Sequence, residues 1–275
     1  MVGPTAQLVA LACHFNEHAR GMAIIPFFPT NSTCQFCASV QFLRQQTPLL
    51  GQPPVWTVLG RTPDEWFARE ARPGRNARLV YQRVDDLRFP KHLSDSFAAR
   101  DGRWLLVLRA RGRSDLWEPE WEVGNQHVAD RHVCRVRYGL VAENLKQEMP
   151  KLRTVESLFP ELRRTLGDIL AFAEEQRFDG FAGSFRTAIK CLSANDPFAE
   201  VHHKDLAPAG FLVLPERQLL AACQAAWVFG GVGSWNDLGF NGKEQVRYER
   251  LSSSLFALLN EGICVSTNAA AVRGR

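Results

Sequence analysis

The sequence predicts an α+β fold, with a strand-rich first half built mostly on an antiparallel sheet and a helix-rich second half. Three observations predict it. Short β-branched and aromatic runs bounded by turn residues fill residues 23–149. Apolar residues at helical spacing fill residues 150–275. Segregated strands and helices, rather than alternating ones, define the class. The chain has 275 residues, 45% apolar and 23% charged, which is enough to bury a core as two subdomains or one continuous domain. Pro150 marks the boundary between the halves.

Residues 1–22 read as a flexible lead-in, with Met22 as an alternative start. The run "QLVALAC" is only seven residues long and follows no Lys or Arg, so it fails as a secretory signal. Residues 23–28 (AIIPFF) read as a short strand and 36–46 (FCASVQFLRQQ) as a helix. Gly51, Pro53 and Pro54 break the chain before a strand over 55–59. Thr62, Pro63 and Glu65 then form a capping box with proline at the first helical position. A strand follows over 77–84. Asp101-Gly102 suits the tight turn of a hairpin that continues into "RWLLVLRA". "LWEPEWEV" and "HVCRVRYGLV" complete the strands.

In the second half Leu162, Leu166, Ile169, Leu170 and Ala173 line one helical face. Gly180 to Gly183 reads as a break and "SFRTAIKCL" as a further helix. "GFLVL" (210–214) reads as a strand. A helix from Pro215 to Phe229 is apolar nearly all round, with Gly230 placed to cap it. The last helix spans about 244–261, stopped by Gly262, and "ICVS" reads as a final strand.

Charge and length exclude some functions. The net charge of +4, from 33 basic and 29 acidic residues, is too mild to argue for nucleic acid. Arg109, Arg111 and Arg113 fit a solvated strand end or turn. No run of about 20 apolar residues is present, so no membrane span is predicted. Seven dispersed cysteines in a chain this long point to a reducing cytoplasm rather than a disulfide scaffold.

The stretch "AAWVFGGVGSWND" raises the question of a phosphate cradle. Cradles place their glycines before a helix, and here the glycines follow one, with no Lys-Ser/Thr after them. A helix-connecting turn is the simpler reading. As a binding surface it would use Trp227, Gly231, Gly233, Ser234, Trp235, Asn236 and Asp237, whose aromatic and short polar side chains suit contact with another protein.

Cys34 and Cys37 ("CQFC") are the sharpest chemical feature. At a helix N-terminus such a pair favours thiolate redox chemistry. Joined by Cys13 and His18, it would have the ligand types of a zinc site. Two ordinary buried cysteines are the plain alternative. His202, His203 and Asp205 ("HHKD") are weaker metal candidates against the reading of a polar loop, as are His127, His132 and Cys134. Glu118, Glu120 and Glu122 share a strand face, which suits a solvated edge better than acid–base chemistry.

No G-x-S-x-G, H-E-x-x-H or kinase set is present. The reading that follows is a cytoplasmic, non-catalytic protein of immunity or adaptor type that binds another protein and holds no cofactor. Trp117, Trp121, Trp227 and Trp235 are its candidate anchors. The rival is an enzyme, a thiol oxidoreductase or a zinc-dependent protein, that uses Cys34 and Cys37.

Overall fold

A computed structural model of the chain describes residues 1, 3–22, 25–46, 55–83, 102–124, 131–146, 148–230 and 233–273. They divide into two compact units. One comprises residues 4–150, 205–211 and 271–275; the other comprises 1–3, 151–204 and 212–270.

Among the described residues, the first unit is a six-stranded mixed sheet with two helices. The elements are α1 (Gly3–Ala19), β1 (Cys37–Gln46), β2 (Val55–Gly60), α2 (Pro63–Glu70), β3 (Arg75–Gln82), β4 (Arg103–Ala110), β5 (Arg113–Val123) and β6 (Cys134–Lys146). The strand order is β2-β1-β6-β5-β4-β3, and only the β1–β6 pairing is parallel. The capping box of α2 forms as its residues dictate. Thr62 accepts from the Glu65 amide at 3.2 Å, and Glu65 accepts from the Arg61 amide. Arg111 (φ 48°) and Gly112 (φ 77°) make the two-residue turn between β4 and β5.

The core on one face of the sheet is aromatic. Phe42 lies flat between two rings, 4.2 Å from Trp66 and 5.0 Å from Tyr138, with Trp117 edge-on at 5.8 Å. Phe15 of α1 meets Trp66 at 5.1 Å. Asn16 of α1 hydrogen-bonds both the N–H and the C=O of Ala77, acting as a strand partner at the edge of β3. Val80, Leu105, Val107 and Leu116 form a second apolar cluster with Ala142, Leu145 and Met149.

The second unit holds α3 (Val155–Glu175), α4 (Asp179–Cys191), α5 (Leu214–Ala225) and α6 (Gly242–Arg273). Thr154 caps α3 by accepting from the Ser157 amide. Leu162, Leu166, Ile169 and Ala173 are buried along the expected stripe, joined by Phe172. Trp235 is the hub of this core. Phe172, Phe178, Phe181, Phe185 and Tyr248 surround it, and its indole N–H donates to Ser252 at 2.7 Å.

Several local expectations are corrected. Residues 3–19 form α1, in which nearly every residue from Thr5 to Asn16 is buried, rather than a lead-in. Residues 25–27 are not a strand. Residues 37–46 are strand β1, not a helix, because the ladder to β6 claims them. Helix α4 runs straight through Gly180 and Gly183. Residues 210–213 are turn and coil leading into α5, and α5 ends at Ala225, so Gly230 (φ 89°) bends a loop rather than capping the helix. Gly262 sits inside α6, which absorbs "ICVS". The first strand of the hairpin placed around Asp101-Gly102 lies outside the described residues.

Candidate functional site

Cys34 ends a single 3-10 turn (Ser32–Cys34) and Cys37 begins β1, so the pair joins a turn to a strand and opens no helix. Two carboxylates fix the approach to the turn. Asp64 accepts from the amides of Phe27 and Phe28 at 2.7 and 3.0 Å, and Asp205 accepts from the amide of Ser32 at 2.7 Å and from its hydroxyl. Asn31 accepts from the Thr33 amide and donates to the Asp205 carbonyl. His14 of α1 bonds the same carbonyl at 3.2 Å.

Neither thiol is in a disulfide, and the Cys37 thiol donates to the Thr33 carbonyl at 3.8 Å. The Gln7 amide nitrogen lies 3.6 Å from each sulfur and donates to the Thr33 carbonyl at 3.2 Å. The Tyr138 hydroxyl donates to the Gln7 oxygen at 2.8 Å, which fixes the amide's orientation. The neighbouring Cys34 and the Gln7 amide hold the Cys37 thiol below its usual range against burial, while the neighbouring Cys37 and burial push the Cys34 thiol far up. Cys34 is fully buried and Cys37 is 2% exposed, but Gln35 and Phe36 between them are surface residues. Cys134, half-buried, is the ladder partner of Cys37.

The zinc set does not assemble. Cys13 lies six residues beyond Gln7 on α1, about 9 Å further along the helix axis, and is fully buried. His18 packs its ring against Phe67. Among the described residues no three His, Cys, Asp or Glu side chains cluster to hold a metal ion. His202 and His203 stack edge-to-face, and the backbone of His203 is held at both its N–H and C=O by Gln224. The Asp205 carboxylate serves Ser32. His127 lies outside the described residues. Glu118 is buried against Arg103, while Glu120 and Glu122 face Arg137 at the surface, so the strand presents no open carboxylate pair.

The glycine turn resolves as a connection. The Asp237 carboxylate accepts from the Gly233 and Ser234 amides and so closes its own 3-10 turn. Trp235 is buried and anchors the turn to the core; Asn236, Asp237 and Gly233 are exposed, Ser234 is half-buried, and Gly231 lies outside the described residues. Trp117 is likewise core, while Trp121 and Trp227 are half-buried.

Trp227 belongs to a different surface. With Val228 it walls a hollow of about 540 Å³ whose other side is Arg177, Phe178, Asp179, Gly180, Phe181 and Ser184, at the start of α4. A second hollow of about 430 Å³ shares Gly180 and Ser184 and continues past Gly183 and Thr187 to Glu200 and His202. Gly180, Gly183, Ser184 and Thr187 recur at helical spacing, so one bare face of α4 floors both. The sequence reading missed this groove because it took the glycines for a break. Their spacing from Thr187 was the available signal.

Comparison with known protein families, curated proteins and solved structures finds no match.

Proposed function

We propose that the chain is a non-catalytic protein-binding protein of adaptor or immunity type, working in the cytoplasm, and that the α4 groove receives its partner. The observation that supports this reading is the pair of adjoining hollows along α4, which share Gly180 and Ser184, one aromatic at Phe181 and Trp227 and the other polar at Glu200 and His202. Small floor residues let a helix or extended segment approach the α4 backbone closely. Half-buried Phe178, Phe181 and Trp227 offer an anchor pocket for one apolar side chain. Glu200 at the far end is already paired with Lys190 at 2.7 Å, so that end offers polar contacts and no uncompensated charge. No described helix is long and apolar enough to cross a membrane. The burial of Cys34 and Cys37 weighs against the enzyme reading, since a protein disulfide cannot reach either sulfur in the folded chain.

Gly180→Arg tests the reading. A Cβ at Gly180 meets nothing within 4 Å, so the arginine fills the groove and spares the core. Purified chain is used to retain partners from the host extract, and the retained proteins are then titrated individually. A partner that binds the wild type and loses at least about tenfold in affinity to Gly180→Arg supports the groove. Equal binding by both proteins, or no saturable partner, overturns it.

A further inference from the structure

We propose that Cys34 and Cys37 form a reversible internal disulfide, driven by low-molecular-weight disulfides, that acts on the protein itself rather than on a protein substrate. Three observations carry this. The sulfurs share one neighbour, the Gln7 amide nitrogen 3.6 Å from each, and only two residues separate them in the chain, the C-x-x-C spacing of a dithiol pair. A side-chain amide is spent on them. Gln7 reaches both sulfurs from α1, and Tyr138 locks it in place from β6, although apolar side chains would fill this core at lower cost. The pair also lies directly beneath a surface turn: Gln35 is exposed and Phe36 is 46% exposed, so opening of two residues admits a small reagent while the fold excludes a large one.

The chemistry balances with a small disulfide RSSR as oxidant. The Cys37 thiolate, favoured by the Gln7 amide, attacks one sulfur and releases RS⁻, leaving Cys37 in a mixed disulfide. Cys34 gives up its proton and attacks the Cys37 sulfur, releasing the second RS⁻. Two protein thiols lose two electrons and two protons; RSSR gains both as two RSH. Oxidised, the bond ties the turn held by Asp205 to the first residue of β1.

The test uses the full chain, reduced and then equilibrated over a series of reduced and oxidised glutathione ratios. Samples are denatured and alkylated, and the peptide spanning residues 34 and 37 is weighed. The expected result is a single two-electron transition in which both alkylations vanish together and the peptide is lighter by two hydrogens, reversed by excess reduced glutathione. Cys34→Ser removes the resolving thiol and should leave glutathione stably bound to Cys37. Gln7→Leu should slow oxidation about threefold, the loss of thiolate being partly offset by the greater nucleophilicity of what remains, while reaching the same end state. Full alkylation of both cysteines at every ratio overturns the proposal. So does a glutathione adduct on Cys37 that Cys34 never resolves in the wild type. The wild-type titration decides the matter if either variant fails to fold.

Discussion

Gly262 of α6 faces the Cys223 sulfur of α5 so closely that a methyl group on it would stand 2.7 Å from Sγ and 3.4 Å from Leu219. This glycine is kept for close approach between helices. Gly262→Ala gains about 1 kcal/mol of helix propensity, but the clash costs more, and the variant should be less stable by about 1–3 kcal/mol. Cys223→Ala removes the obstructing atom. The double variant should recover most of the loss, with a coupling of about 1 kcal/mol or more by urea unfolding. Additive losses would mean that the contact is not the cause.

Phe42 carries the aromatic stack of the sheet unit, flat against Trp66 and Tyr138. Phe42→Ala should cost about 3–5 kcal/mol. Phe42→Leu, which keeps most of the volume but not the stacking, should cost less than half of that. Chemical denaturation of the two variants separates burial from ring geometry.

The His14 imidazole is held below its ordinary 6.5 by burial, against the smaller opposing pull of the Asp205 carbonyl and the Asp205 and Asp64 carboxylates. The unfolded chain therefore binds a proton at a pH where the folded chain does not. Stability is full above the unfolded value and falls as pH drops through it toward the folded value. His14→Gln keeps a donor for the Asp205 carbonyl and cannot titrate. The difference in unfolding free energy between wild type and variant should shrink on going from about pH 8 to about pH 5, the wild type losing more. A constant difference would show that His14 contributes nothing to the pH dependence.

Arg111 sits at φ 48° in the β4–β5 turn, a conformation that strains most side chains. Arg111→Asn should raise stability by about 0.5–1 kcal/mol, read as a higher thermal midpoint with an unchanged circular dichroism spectrum.

What was legible in the sequence followed local chemistry. The Thr62 capping box depends on residues within one turn and the Leu162–Ala173 stripe on residues within about three turns; the box formed as written, and so did the stripe except at Leu170, which is half-buried. The α+β order followed from the same signals. Elements decided by distant partners were not legible. Val40 and Phe42 alternate as a strand, yet Phe36, Val40 and Leu43 also fit a helical face, and only the ladder to Cys134–Leu140 settles the matter. Helix α1 is apolar on all sides, so it lacks the periodicity that marks a surface helix. The β-branched residues of "ICVS" are buried in α6, where packing overrides their strand preference. The same limits applied to the sites. Cys34 and Cys37 were visible as a spacing, but Gln7, which reaches the sulfurs, and Tyr138, which holds Gln7, were not, since both come from far along the chain. The buried role of Trp235 was equally invisible, because nothing local distinguishes a core tryptophan from an exposed one.

The parallel pairing of β1 with β6, the one such pairing among the described residues, also bears on how the chain is made. Strands β3 to β6 pair with their sequence neighbours, whereas β1 must wait for β6. On the ribosome β1 and β2 emerge first and stand without their seam while everything up to β5 is translated, an interval of several seconds at ordinary elongation rates. Phe42 and the backbone edge of β1 are exposed throughout that interval. The newborn chain is therefore most vulnerable to aggregation before Cys134 leaves the exit tunnel, and a chaperone that shields residues 37–46 would do most for its yield.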